Sequence, residues 1–181
     1  MVKFYKNRNK EIINIINEID NKKIEKIEKT ILNTKKNKGK IIICGNGGSS
    51  ATASHFAVDL SLNAKIQSIN FNEYDLITCF ANDFGYENWI KKSLEIYATK
   101  KDLLILLSCS GNSKNLVNAN LFAKKEKMKV ITLTGCKKNN KLNSLKNNVN
   151  LWINSNKYNV IEITHHMILL NIIDSLMKVK Y

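Results

Sequence analysis

The chain has 181 residues, 44% of them hydrophobic, enough for one domain with a real core. No apolar run approaches the ~20 residues that span a bilayer, and the N-terminal MVKFYKNRNKE lacks a signal peptide's apolar segment, so a cytoplasmic protein without a membrane partner is expected. Its 29 basic residues against 15 acidic ones give a net charge of +14, but nearly all are lysine; Arg8 is the only arginine, lysine, asparagine and isoleucine abound and proline is absent, so the charge reads as compositional bias and nucleic acid is not the expected partner.

In chain order, Ile12, Ile13, Ile16 and Ile19, then Ile24, Ile27, Ile31 and Leu32, predict one or two amphipathic helices within residues 3–37, ended by Asn37-Lys38-Gly39. This N-terminal segment, residues 1–38, is expected to pack on the core or on a partner subunit. Ile41–Ile43 reads as a buried strand, followed by a glycine turn and a helix over Ala51–Leu60. Residues 65–70 are compatible with a short strand. Leu76–Phe80 is apolar and is expected to be broken by Asn82-Asp83-Phe84-Gly85, before a helix over 87–98 that carries Trp89, Ile90 and Leu94 on one face. Leu103–Leu107 is a second strand, apolar without alternation, as in a parallel sheet covered on both faces. A serine-rich turn leads from it into a helix ending near Lys127. Val130–Leu133 and Val149–Ile153 are further strands, separated by a polar loop with a short helix. Residues 158–179 form a long helix, apolar on more than one side and therefore buried or against another subunit. No linker divides the chain, so a single domain over 1–181 is expected: an α/β, doubly wound parallel sheet flanked by helices, with an N-terminal helical segment.

Two turns fall at the carboxyl ends of strands, where ligands sit in such folds. The first, in KIIICGNGGSSATASHFAVDL, follows the strand with Gly45, Gly47 and Gly48, then Ser49 and Ser50. It gathers backbone N–H groups at the positive end of a helix. It is neither the dinucleotide fingerprint nor a P-loop, and such a turn alone serves equally as a plain connection. The second carries Ser108, Ser110, Gly111 and Ser113, which alone also reads as helix capping. Together the two make a cradle for a phosphate monoester or its sugar, holding a dianion by hydroxyls and N–H groups without arginine. Cys44, Cys79, Cys109 and Cys136 form no CxxC pair, so neither a structural zinc site nor a redox dithiol is indicated.

His55 and Asp59 are i, i+4 on the helix after the first turn, able to share a proton or a divalent metal, or simply a structural hydrogen bond. On the last helix Glu162 stands i, i+3 from His165 and i, i+4 from His166, so all three histidines lie beside a carboxylate.

CGNGGSSATASHFAVDL, ANDFGYENW, LLSCSGNSKNLVNA and KVITLTG together resemble the sugar-isomerase (SIS) domain of the phosphoheptose isomerase family, which converts sedoheptulose 7-phosphate to D-glycero-D-manno-heptose 7-phosphate. The resemblance runs from about Gly39 to the last helix. It implies a flavodoxin-like sheet, a homotetramer and active sites at subunit interfaces. It implies that Asn46, Gly47, Gly48 and Ser49 contact the sugar phosphate, that Ser108, Cys109, Ser110 and Ser113 hold its phosphate, and that Asp83 is an active-site aspartate. It also implies zinc, one ion per subunit, on His55, Asp59 and Glu162, and the expected set is completed by His166, which stands one turn before the position of the family's fourth ligand. The chain departs from the family at several of these positions. Cys109 replaces a threonine, Asp59 a glutamate that serves as base, Glu162 a glutamine, and Asn63 an arginine. His165 matches a histidine, but the family's second histidine, a zinc ligand and the catalytic acid, falls on Leu170, one turn after His166.

The resulting expectation is an isomerase with Asp59 as base, His165 or His166 as acid, and Glu162 beside the substrate, making heptose for lipopolysaccharide, capsule or another surface polysaccharide. The alternative is a non-catalytic SIS protein that binds a sugar phosphate or acts as a replication-initiator-associating adaptor, which the departures favour.

Overall fold

The computed structural model describes residues 2–180. Two helices open it, α1 (Val2–Asn17) and α2 (Asn21–Lys36), as the isoleucine spacing predicts. Asp20 separates them and caps α2, its carboxylate accepting from the Lys22 amide at 3.0 Å. Five strands follow: β1 (Ile41–Gly45), β2 (Ser68–Ile69), β3 (Leu103–Ser108), β4 (Lys129–Thr134) and β5 (Val149–Trp152). They form one parallel sheet in the order β2-β1-β3-β4-β5. Between and after them run α3 (Gly48–Leu62), α4 (Tyr74–Phe84), α5 (Trp89–Tyr97), α6 (Lys114–Lys125), α7 (Lys141–Ser144) and α8 (Tyr158–Met177).

The strands are apolar without alternation because both faces are covered. Ile41, Ile43, Leu103, Ile105 and Leu107 pack with residues of α1, α2, α3 and α8. Their neighbours Ile42, Cys44, Leu104 and Leu106 pack on the opposite face with α5, α6 and α7. Burial drives the Cys44 thiol up to about 12, so this cysteine is an inert apolar filler.

Two sequence expectations change. Leu76–Phe80 belongs to α4, and Asn82, Asp83 and Phe84 continue that helix rather than break it; the break comes at Gly85, whose φ of 82° only glycine adopts readily. Leu76, Ile77 and Phe80 have helical spacing, which the short apolar run concealed. Although no stretch of sequence looked long enough to span a bilayer, α8 meets that test by length and composition, with a mean hydropathy of 1.3. Its apolarity is that of a core helix: Val160, Ile161, Ile168, Leu169, Ile172 and Ile173 are buried against the sheet, α1, α2 and α3.

The starts of β1 and β3 are tied by Asp102, which is 3% exposed. Its carboxylate accepts from the Lys40 amide (2.9 Å), Lys40 Nζ (2.6 Å) and the Thr99 amide (2.8 Å). Removing the charge leaves a sheltered ammonium without its partner and weakens two amide bonds. Asp102→Asn should therefore lower stability by about 3 kcal/mol, read as a shift in urea midpoint; a shift below about 0.5 kcal/mol would place this pair among energetically idle surface bridges.

Candidate active site

In this strand order β1 sends its chain outward to β2, and β3 sends its chain the other way to β4. Right-handed crossovers therefore put α3 and α6 on opposite faces, and their N-termini open a crevice above the adjacent ends of β1 and β3. Both glycine-serine turns sit there. They share a recess of about 100 Å³ lined by Asn46, Ser49, Ser108, Cys109, Ser110 and Ser113, with Tyr158 and Glu162 of α8 closing one side. At ~30 Å³ per water that is room for about three waters, or one tetrahedral anion.

The first turn needs glycine for two different reasons. Gly47 has φ 54° and ψ −125°, a conformation essentially confined to glycine, with open space where a side chain would go. At Gly48 space decides: an added Cβ would lie 2.5 Å from Glu162 Oε2, so only a bare α-carbon lets that carboxylate rest on the N-terminal end of α3. The turn is strapped to α6 by a reciprocal amide pair, Asn46 Nδ2 to Asn115 Oδ1 at 3.1 Å and Asn115 Nδ2 to Asn46 Oδ1 at 2.9 Å. Tyr86 Oη also donates to Asn46 Oδ1, at 3.2 Å. Asn46 is thus a strut that fixes the two turns relative to each other.

In the second turn Gly111, at φ 64°, reverses the chain and donates its amide to Ser108 Oγ at 3.1 Å. The Ser113 hydroxyl is 3.5 Å from Ser108 Oγ and does not cap its own helix, which leaves it directed to the recess. No lysine or arginine lines the recess. An anion there would be held by hydroxyls, amides and the N-terminal end of α6. Cys109 is a neutral thiol: burial, reinforced by the Glu162 carboxylate and opposed by the Ser49 hydroxyl, pushes it up to about 11.

Beside the recess lies a more open groove lined by Gly48, Thr52, Glu162, His166, Met167 and Leu170. Glu162 borders both. Thr52 Oγ1 is 3.3 Å from His166 Nδ1, His166 Nε2 is 2.9 Å from His55 Nδ1, and His55 Nε2 is 3.2 Å from Asp59 Oδ2. These contacts close with one set of donors: Thr52 donates to His166, His166 to His55, and His55 to Asp59. Desolvation and the adjacent His55 hold His166 below the usual histidine value, against the opposing pull of Asp59.

Not every residue singled out from sequence arrives here. Asp83 is exposed on α4, its carboxylate accepting from Asn82 Nδ2 at 2.9 Å, and lines neither cavity. His165 points the other way from His166: it is 1% exposed, its Nε2 donates to the Thr134 carbonyl at 3.3 Å, and burial drives it down to about 4. That excludes it as the acid. Among the described residues no three His, Cys, Asp or Glu side chains converge to hold a metal, so the zinc set His55, Asp59, Glu162 and His166 does not fit as placed. Leucine stands at 170, where the resemblance implied a ligand, both nitrogens of His55 are engaged, and Asp59 accepts from His55 and from Asn63 Nδ2 (3.2 Å). Sequence reasoning missed Thr52, Asn115 and Tyr158. Thr52, one helical turn before His55, was the one with a usable signal.

The SIS domain family profile matches residues 4–135. A phosphoheptose isomerase of Helicobacter pylori is 41% identical over 111 residues, 58% of this chain and 58% of that protein. One of Aliarcobacter butzleri is 39% identical over 139 residues, 74% of this chain and 72% of that protein. The chain spans about 58–62% of the length of the first curated relatives it matches. The structure of a phosphoheptose isomerase from Neisseria gonorrhoeae superposes with a TM-score of 0.88 at 24% identity, over 97% of this chain and 96% of that one, and so shares the fold.

The placement of His165 sets an acid sensitivity. Its folded value of about 4 lies below the ordinary 6.5, so the unfolded chain binds the proton first. Its neutral burial is without cost above pH 6.5, and stability falls as the pH drops from there to 4, by up to about 3 kcal/mol. Urea midpoints at pH 7.5 and 4.5 should show this, and His165→Leu should flatten the dependence; a wild-type midpoint constant down to pH 5 would contradict a buried neutral imidazole.

Proposed function

The chain belongs to the SIS-domain family, and from that premise we propose that it is an aldose–ketose isomerase converting sedoheptulose 7-phosphate to D-glycero-D-manno-heptose 7-phosphate. The observation that carries the reading is the meeting of both turns in one recess, with a carboxylate and a histidine chain alongside. The substrate phosphate sits on Ser108, Ser110, Ser113 and the N-terminus of α6, and the sugar runs past Gly47 and Gly48 toward the groove. That anchoring spends phosphate binding on orienting the first two carbons. A carboxylate moves the proton between those carbons through an enediol while an imidazole exchanges protons with the oxygens. No step is routed through zinc, because the donors do not fit it.

The enzyme works as a soluble homotetramer in this reading. Exposed Tyr74, Phe84 and Tyr86 on and beside α4 would be covered by a neighbour, and Asp83 would serve a neighbour's site. The product supplies heptose for surface polysaccharide. Leu170 favours a second reading, a phosphosugar-binding protein without turnover.

Incubation with sedoheptulose 7-phosphate, followed by NMR, should show the aldose appear. Ser110→Ala and Ser113→Ala should each raise KM about 10-fold with kcat changed less than about 3-fold, as expected for a lost hydrogen bond to a charged group that takes no part in the proton transfers. Binding without turnover by the wild type selects the second reading; unchanged KM in both variants removes the second turn from the substrate site.

A further inference from the structure

Resting on that reading, we propose that Glu162, not Asp59, carries the proton between the substrate carbons, and that Asp59 is a positioning residue acting through His55 on His166. Three observations converge on this exchange of roles.

The first is access. Among the described residues Glu162 is the only carboxylate that lines either cavity, and it lines both, so it stands where a ligand anchored in the recess would extend into the groove. Asp59 lines neither. The second is engagement. Both Asp59 oxygens are occupied, Oδ2 by His55 Nε2 and Oδ1 by Asn63 Nδ2, each at 3.2 Å. An aspartate so held orients an imidazole rather than reaching a C–H bond. The third is support. Glu162 is packed against the bare α-carbon of Gly48, at the N-terminal end of α3, and no lysine or arginine lines the recess it borders. A carboxylate here opposes binding of a phosphate dianion in the same recess. A neutral side chain would bind that ligand better, so the recess is better suited to turning it over than to holding it.

The proton inventory closes. Glu162 takes a proton from C1 of the ketose, leaving an enediolate with its charge on the C2 oxygen. Neutral His166, whose Nδ1 meets only the groove-lining Thr52 hydroxyl at 3.3 Å, takes the proton of the C1 hydroxyl as the substrate displaces that hydroxyl and passes it to the C2 oxygen; Glu162 then returns its proton to C2 as the C1=O bond forms. Both residues end as they began. Asp59, at the far end of the chain, holds His55 so that the second imidazole keeps one orientation through both transfers.

The test uses the full chain and deuterium oxide. Wild type should incorporate solvent deuterium into sedoheptulose 7-phosphate during turnover. Glu162→Gln should bind the substrate at least as tightly as wild type, yet lose turnover and exchange by about 10³-fold. Asp59→Asn should keep KM, lower kcat by about 10-fold, and still exchange. As a second route that leaves Glu162 in place, Gly48→Ala displaces its carboxylate and should also depress exchange without disturbing His55 and Asp59. Full exchange in Glu162→Gln, or exchange abolished only in Asp59→Asn, would overturn the assignment while leaving the isomerase reading intact. A wild type that binds the substrate without turnover or exchange would overturn both.

Discussion

The handedness of the crossovers between parallel strands governs this molecule. With β1 and β3 adjacent and their onward connections diverging, α3 and α6 must lie on opposite faces of the sheet. Two helix N-termini then face one crevice, and whatever residues begin those helices become neighbours although more than sixty positions separate them. Asn46 and Asn115 meet for that reason, and their paired amides turn a topological proximity into a fixed distance. The Lys40–Asp102 contact does the same at the other end of the same two strands. The cradle is thus clamped above and below, and its hydroxyls do not depend on flexible loops for position.

On that frame α8 adds the chemistry. Its buried face, Ile161 and Ile168 among others, anchors it in the core, and one turn brings Glu162 and His166 out along the edge of α3. Consecutive histidines separate sharply: His165 goes into the core and becomes a neutral structural donor, while His166 joins His55 and Asp59. A helix rotates about 100° per residue, so two adjacent imidazoles cannot serve one site. Gly48 completes the arrangement from α3, since a Cβ there would meet the Glu162 carboxylate at 2.5 Å and force it to shift.

Much of this was legible in the residues alone. The apolar strands, the two turns and their place at the carboxyl ends of strands all follow from local pattern, and the recess they share confirms the pairing of the turns. What failed to come through depends on direction rather than type. Spacing placed His165 and His166 equally near Glu162, and only the rotation of α8 against β4 distinguishes them. Asp59 and Glu162 are both carboxylates beside histidines, and only the contacts of each show which is engaged and which borders open space. The helical phase of Leu76, Ile77 and Phe80 was hidden because five apolar-rich residues do not separate helix from strand. Asp83 matched a motif, but its place on an exposed helix is set by how α4 packs, which no local rule encodes.

The charge of the chain has a different part to play from the charge of the site. A formal +14 produces a positive field over distances comparable to the ~8 Å Debye length at physiological ionic strength, and that field concentrates anionic ligands near the surface. Yet the recess itself has no lysine or arginine and does have a carboxylate. In the proposed function attraction and retention are therefore separated: diffuse lysines would act on the approach, while hydroxyls and helix-end amides would determine the pose. A lysine inside the recess would hold a phosphate more tightly and form an ion pair with Glu162, quenching the only carboxylate that borders both cavities. Holding the anion by dipoles leaves that carboxylate without a cationic partner, its recorded neighbour being the neutral Cys109 thiol, so in the proposed mechanism the absence of arginine and lysine from the cradle is the condition under which Glu162 acts on the neighbouring carbons.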